Sequence, residues 1–197
     1  MKYVIIIAMI LAILLIASQF MTNISVEKTN QQPYKLIKKE DDIEIRHYQA
    51  SVMASVRGTE TTYKESSNKN FRKLASYIFG ANNNSEKISM TSPVYMDWSS
   101  KGSSMSFVMP NGYNLENLPK PIDGEITLHE TKPVFVAAIK YGGFSSDQDF
   151  ETNKKKLSDY LARNGIKYSG NFKFLGYNPP YQLINRRNEV VVEIEWI

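Results

Sequence analysis

An internal repeat limits the folds open to this chain more than any other feature. Residues Ile43 to Val56 lie over Ile126 to Ile139 without a gap. Apolar residues fall at matching places: Ile43 with Ile126, Ile45 with Leu128, Val52 with Phe135, Ala54 with Ala137 and Val56 with Ile139. Each segment alternates with the period of a half-buried strand. Each breaks once, at Tyr48-Gln49-Ala50 and at Thr131-Lys132-Pro133, so each reads as two strands. An amphipathic helix follows in both halves. In the first, Phe71, Leu74, Ala75 and Ile78 recur at helical spacing and Gly80 ends the run. In the second, Ser146 and Asp149 form a capping box with Asp in place of Glu, Phe150, Leu157, Tyr160 and Leu161 make the apolar face, and Asn164-Gly165 stops it. Two further strands close each unit, Lys87–Met96 with Ser104–Met109, and Phe172–Tyr181 with Glu189–Trp196. Pro93 and Pro179-Pro180 mark edges or bulges within them. The unit is therefore strand-strand-helix-strand-strand, written twice, with the Pro-, Gly- and Asn-rich stretch Met109 to Asp123 as the joint. Two such units bury their sheet faces most economically as an α+β fold, one curved sheet or open β-barrel flanked by two helices.

The chemistry carried by these elements is sparse. The chain has 197 residues, 42% of them hydrophobic, enough for one domain with a proper core. Its formal net charge of +4 is scattered, and no nucleic-acid-binding pattern accompanies it. There is no cysteine, which excludes disulfides, thiolate metal sites and cysteine nucleophiles. Only two histidines occur, His47 and His129, so a histidine-rich zinc site is excluded. No phosphate-binding glycine loop, nucleophile elbow or His-Glu-x-x-His string appears. Asp41, Asp42 and Glu44 sit at a strand where alternation exposes them, and Lys154-Lys155-Lys156 reads as a solvated helix face. Nothing here supports an enzyme, and a non-catalytic binding domain is expected.

Residues 1–21 point to a membrane. Met1-Lys2 gives a short positive start, Tyr3 to Ala17 is an unbroken apolar run, and Phe20-Met21 extends it. Residues that would have to be small for signal cleavage are bulky, Leu15 before Ala17 and Ile16 before Ser18, which favours a retained anchor. A segment apolar all round has no polar face to turn to solvent. Residues 22–33 read as a polar linker and 34–197 as the domain. Lys2 favours an inward N-terminus with the domain outside the cytoplasm. The alternative is a secreted or periplasmic domain released by signal cleavage.

Six strings in order resemble the SOUL haem-binding family. They are Ile43-Glu44-Ile45-Arg46-His47-Tyr48, Phe71-x-x-Leu74-Ala75-x-Tyr77-Ile78-x-Gly80, Lys87-Ile88-x-Met90-Thr91-x-Pro93-Val94, Ser106-Phe107-x-Met109-Pro110, Tyr141-x-Gly143-Phe144, and Tyr177-Asn178-x-Pro180 with Asn185 to Val190. The resemblance runs from Tyr34 to Trp196. It implies a pseudo-symmetric barrel like that of GyrI-like effector-binding domains, and binding of haem or a related tetrapyrrole without a known reaction. It singles out His47 as the candidate axial ligand to iron. Arg46 and Lys64 are the candidate partners of the propionates, and Tyr48, Phe71 and Met90 complete the candidate binding set. Tyr63, Met96, Met105 and Met109 could line the same cleft or simply belong to the core. His129 aligns with Arg46 in the repeat, so the two histidines are not symmetry mates. Two readings stay open: a haem or tetrapyrrole carrier, buffer or sensor at a membrane, and a general domain for flat hydrophobic ligands or proteins with incidental haem affinity.

Overall fold

The computed structural model describes residues 2–27 and 29–196. Met1 of the positive start, Lys28 of the polar segment and the terminal Ile197 lie outside the described residues. The elements run α1 (Lys2–Glu27), β1 (Tyr34–Glu40), β2 (Ile43–Tyr48), β3 (Val52–Gly58), α2 (Tyr63–Ile78), β4 (Val94–Ser99), β5 (Gly102–Val108), β6 (Ile126–Glu130), β7 (Val134–Tyr141), α3 (Asp147–Arg163), β8 (Tyr168–Gly176) and β9 (Asn188–Ile194).

The repeat is real in three dimensions. Among the described residues, nine strands form one antiparallel sheet in the order β1-β2-β7-β9-β8-β4-β5-β3-β6. Exchanging the two halves reads the run from β2 to β6 backwards, so a pseudo-twofold axis passes between β4 and β8. The halves interlock: β2 pairs with β7 of the second unit, and β6 with β3 of the first. The offset relating Ile43 to Ile126 also relates Asn70 to Asn153, Leu74 to Leu157, Tyr77 to Tyr160 and Ile78 to Leu161, and all eight helix residues are buried. Both helices lie on one face of the sheet. Between them and the strands sits the main core, which includes Ile45, Ala54, Val56, Met105, Phe107, Ala137, Phe174 and Val192. Thr62 accepts from the Glu65 amide at α2, and Ser146 with Asp149 completes the capping box of α3.

Four details depart from the sequence reading. β1 lies outside the repeat and adds to the free edge of β2. Its lysines suit an exposed edge strand and hide it from a hydrophobicity pattern. The expected strand Lys87–Met96 is regular only from Val94, because Pro93 has no amide to give a ladder and Ser92 is bridged instead to Gln31. β8 begins at Tyr168 and ends at Gly176, before the prolines. The polar stretch 22–33 is helical as far as Glu27, since a formed helix extends through residues of ordinary propensity. It is then pinned, with Gln32 buried and bonded to Ser92 and Tyr95.

Candidate functional site

Alternation sends every second strand residue to the face away from the helices, and the sheet curls toward that face without closing. The result is a cleft of about 550 Å³ lined from β2 to β9. Met53, Val134, Val136 and Val191 give it apolar wall, and Tyr48 and Tyr95 add rings with hydroxyl tips. Three cations reach it: Arg57, Lys132 and Lys173. Lys173 is held by Glu193 at 3.0 Å, while Arg57 and Lys132 have no ion pair among the described residues. One imidazole lines the cleft, that of His129 on β6 opposite Met53.

On the same face of the sheet, beside the cleft, lies a buried charge network. Glu189, on β9, has no exposed surface and accepts from Arg46 Nη1 at 2.6 Å and Nη2 at 2.9 Å. It also accepts from Arg187 Nε and Nη2 at 2.9 and 2.7 Å, and from the Tyr177 hydroxyl at 2.9 Å. Arg46 donates in addition to Glu44 at 2.8 Å and stacks over the Tyr34 ring. Burial by itself would raise the Glu189 carboxyl, but the hydrogen bonds and charge of Arg46, then Arg187, outweigh it and hold the group below its ordinary value. Burial likewise works against the Arg46 cation, and Glu189 reverses it, so Arg46 stays charged. Burial pushes the Tyr48, Tyr95 and Tyr177 hydroxyls up, which keeps them neutral donors. The network reaches the cleft through Tyr48, whose hydroxyl lies 3.4 Å from Arg46 Nη1.

These contacts scatter the residues the sequence brought forward. Arg46, expected as a free cation, is 1% exposed and fully engaged by carboxylates, because the curl of the sheet covers its strand face. His47 points to the opposite face from Arg46, stacked on Phe135 with ring centroids 4.4 Å apart, and its Nδ1 lies 3.3 Å from Gln49. Lys64 is exposed on the first turn of α2, on the helix side. Phe71 packs edge-on against Phe107 at the core margin. Met90 is 38% exposed in the irregular segment before β4. Of the six, Tyr48 alone lines the cleft. Met96, Met105 and Met109 all belong to the main core, and Met96 also borders the cleft. Tyr63 joins Trp98, Phe150 and Phe174 in an aromatic cluster between the helix N-termini. Glu44 is largely covered by its ion pairs, and Arg186 and Arg187 in the loop before β9 are half-buried.

A family model described as SOUL heme-binding protein matches residues 29–193. The chain belongs to the SOUL haem-binding family. This SOUL chain is 29% identical to heme-binding protein 1 of Xenopus laevis, over 75% of its own length and 80% of the relative's. It is 29% identical to heme-binding protein 2 of Homo sapiens, over 75% of each chain. Among solved structures it resembles the EcmrR C-terminal domain, with a TM-score of 0.56 at 12% identity, covering 83% of the SOUL chain and 99% of that domain. A second neighbour, described as a hydrolase from Listeria innocua, gives a TM-score of 0.57 at 7% identity, covering 80% and 94%. Identities this low speak to the fold alone, the curved α+β sheet.

Several residues of the site escaped the sequence reading, among them Met53, Arg57, Tyr95 and Lys173 of the cleft and Glu189 of the network. Glu189 stands on a strand whose alternating Glu189, Val191 and Glu193 look like a solvent face. His129 carried a signal that pointed to it. The repeat aligns it with Arg46, and symmetry mates occupy the same face of their strands, so one inward residue implies the other.

Proposed function

We propose that this protein binds haem or a related tetrapyrrole, without catalysing its conversion, in the cleft on the inner face of the sheet, held at a membrane by α1. The observation that carries the reading is the composition of that cleft. Its volume of about 550 Å³ falls within the roughly 300–1,000 Å³ of small-molecule sites. It combines an apolar wall for a flat ring, Arg57, Lys132 and Lys173 for carboxylates, and the His129 imidazole as an iron ligand. The names of the relatives support the ligand class. The 26-residue α1 is long and apolar enough to cross a membrane, and none of it is buried against the domain, which supports the anchor. A carrier, buffer or sensor role follows from a site of this kind at a membrane face.

The test is a haemin titration of the full chain in detergent, followed by Soret absorbance, beside His129→Ala and His47→Ala. Saturable one-to-one binding is expected. His129→Ala should weaken it at least about tenfold, or about 1.4 kcal/mol, and His47→Ala should leave it unchanged. Loss on His47→Ala alone would move the ligand to the other face of the sheet. Weak, non-saturating binding by the unsubstituted chain would refute the tetrapyrrole reading.

A further inference from the structure

Four large apolar side chains stand exposed at one end of the domain: Phe144 (57%), Tyr181 (67%), Leu183 (50%) and Ile184 (53%). Phe144 precedes α3 and the other three lie in the β8–β9 loop, but they form one surface. Arg186 ties them together, stacking over the Phe144 ring while its Nη1 donates to the carbonyls of Pro179 and Gln182. The same loop is bonded to the apolar helix. Gln19 Nε2 donates to the Tyr181 carbonyl at 3.3 Å, and Gln19 Oε1 accepts from the Leu183 amide at 2.8 Å. Gln182 Nε2 donates to Asn23 Oδ1 at 2.7 Å. On α1 the half-covered residues are Gln19, Thr22, Asn23 and Val26, one helical stripe facing the domain.

The position of Gln19 decides what covers the patch. At 1.5 Å per residue the stretch from Tyr3 to Met21 spans roughly 27 Å, close to the ~30 Å hydrocarbon core of a bilayer. Gln19 then lies about 3 Å inside the boundary and Asn23 about 3 Å outside it. A loop whose backbone is hydrogen-bonded to Gln19 cannot stand clear of the lipid.

We infer that the β8–β9 loop, with Phe144, is a second membrane contact: Tyr181, Leu183 and Ile184 enter the interfacial layer beside α1, so the domain rests on the bilayer. The occupant is a lipid surface, chosen by continuity with the helix that crosses it. The inference rests on the reading of α1 as a membrane span. Tyrosine, with an apolar body and polar tip, and the aliphatic pair suit that layer.

The chain has no cysteine, so single labels report cleanly. Full-length protein carrying Leu183→Cys, Ile13→Cys or Lys101→Cys is labelled with an environment-sensitive fluorophore and reconstituted into phosphatidylcholine vesicles. Shallow and deep brominated lipids then serve as quenchers. Lys101 is exposed on the β4–β5 turn, at the far end of β4 from the loop. Deep quenching at Ile13, shallow quenching at Leu183 and none at Lys101 is the expected result. Quenching at Ile13 with none at Leu183 overturns the inference while leaving the span intact, and assigns the patch to a protein partner. An unquenched Ile13 removes the span, and the loop contact with it.

Discussion

Replacing Glu189 by Gln tests whether the network beside the cleft is a stabilising unit. The substitution keeps shape and one acceptor oxygen but removes the charge that faces Arg46, Arg187 and the Tyr177 hydroxyl. Removing one partner of a buried ion pair costs about 3–5 kcal/mol, because a charge is left in low dielectric without compensation. Two features place this case at the lower end. Arg46 keeps Glu44 at 2.8 Å, and the Arg187 side chain is 24% exposed and rests on the Tyr177 ring. A loss of about 3 kcal/mol, at roughly 2–4 °C per kcal/mol for a chain of this size, lowers Tm by roughly 6–12 °C. Thermal unfolding followed by near-ultraviolet circular dichroism measures it, with Arg46→Met and the double Arg46→Met/Glu189→Gln variant completing the cycle. The double variant should be more stable than Glu189→Gln, since it removes Arg46, the more deeply buried of the two cations deprived of Glu189. A loss below about 1 kcal/mol for Glu189→Gln, or strict additivity in the cycle, would refute the reasoning. The pH dependence has a definite sign. Glu189 and Glu44 titrate below their ordinary value of 4.5 in the folded state. Their contribution is present above that value and is lost as pH falls through the lower folded values, because the unfolded chain takes up protons first. The gap between the unsubstituted protein and Glu189→Gln should therefore narrow below about pH 4.5 and hold steady above it.

Other expectations follow from the two halves. Ser146→Ala removes the cap of α3 and should cost about 1 kcal/mol, or roughly 2–4 °C in Tm, while Gln148→Ala on the exposed first turn should be nearly neutral. Leu74→Ala and Leu157→Ala empty equivalent, fully buried places under α2 and α3. Each should lose about 2–5 kcal/mol in denaturant unfolding at similar slope, and a near-neutral result at either would contradict the packing.

The elements were legible because their periods are local. Alternation located β2, β3, β6 and β7, and Ser146 with Asp149 announced the start of α3, since a strand pattern or a capping box needs only a few neighbouring residues. β1 was missed for the same reason: an edge strand rich in lysine has no inward stripe to read. The repeat went further, and by pairing Arg46 with His129 it carried information about facing, though not about which face would be enclosed.

By itself, then, the sequence determined the α+β class, the order of the repeated elements, the twofold repeat and the apolar helix ahead of them. These follow from periodicity, caps and turn residues, which act within a few residues along the chain. Which side of the sheet becomes a cleft was decided only by tertiary structure. Alternation states that Arg46 and His47 face opposite ways; it does not say which way is inward. The helices had to cover one face and the sheet had to curl toward the other before Arg46 met Glu189, 143 residues distant. That curl sealed Arg46 against carboxylates, left His47 on the helix side, and set His129 in the cleft, because burial depends on strands that are neighbours in space and remote in sequence.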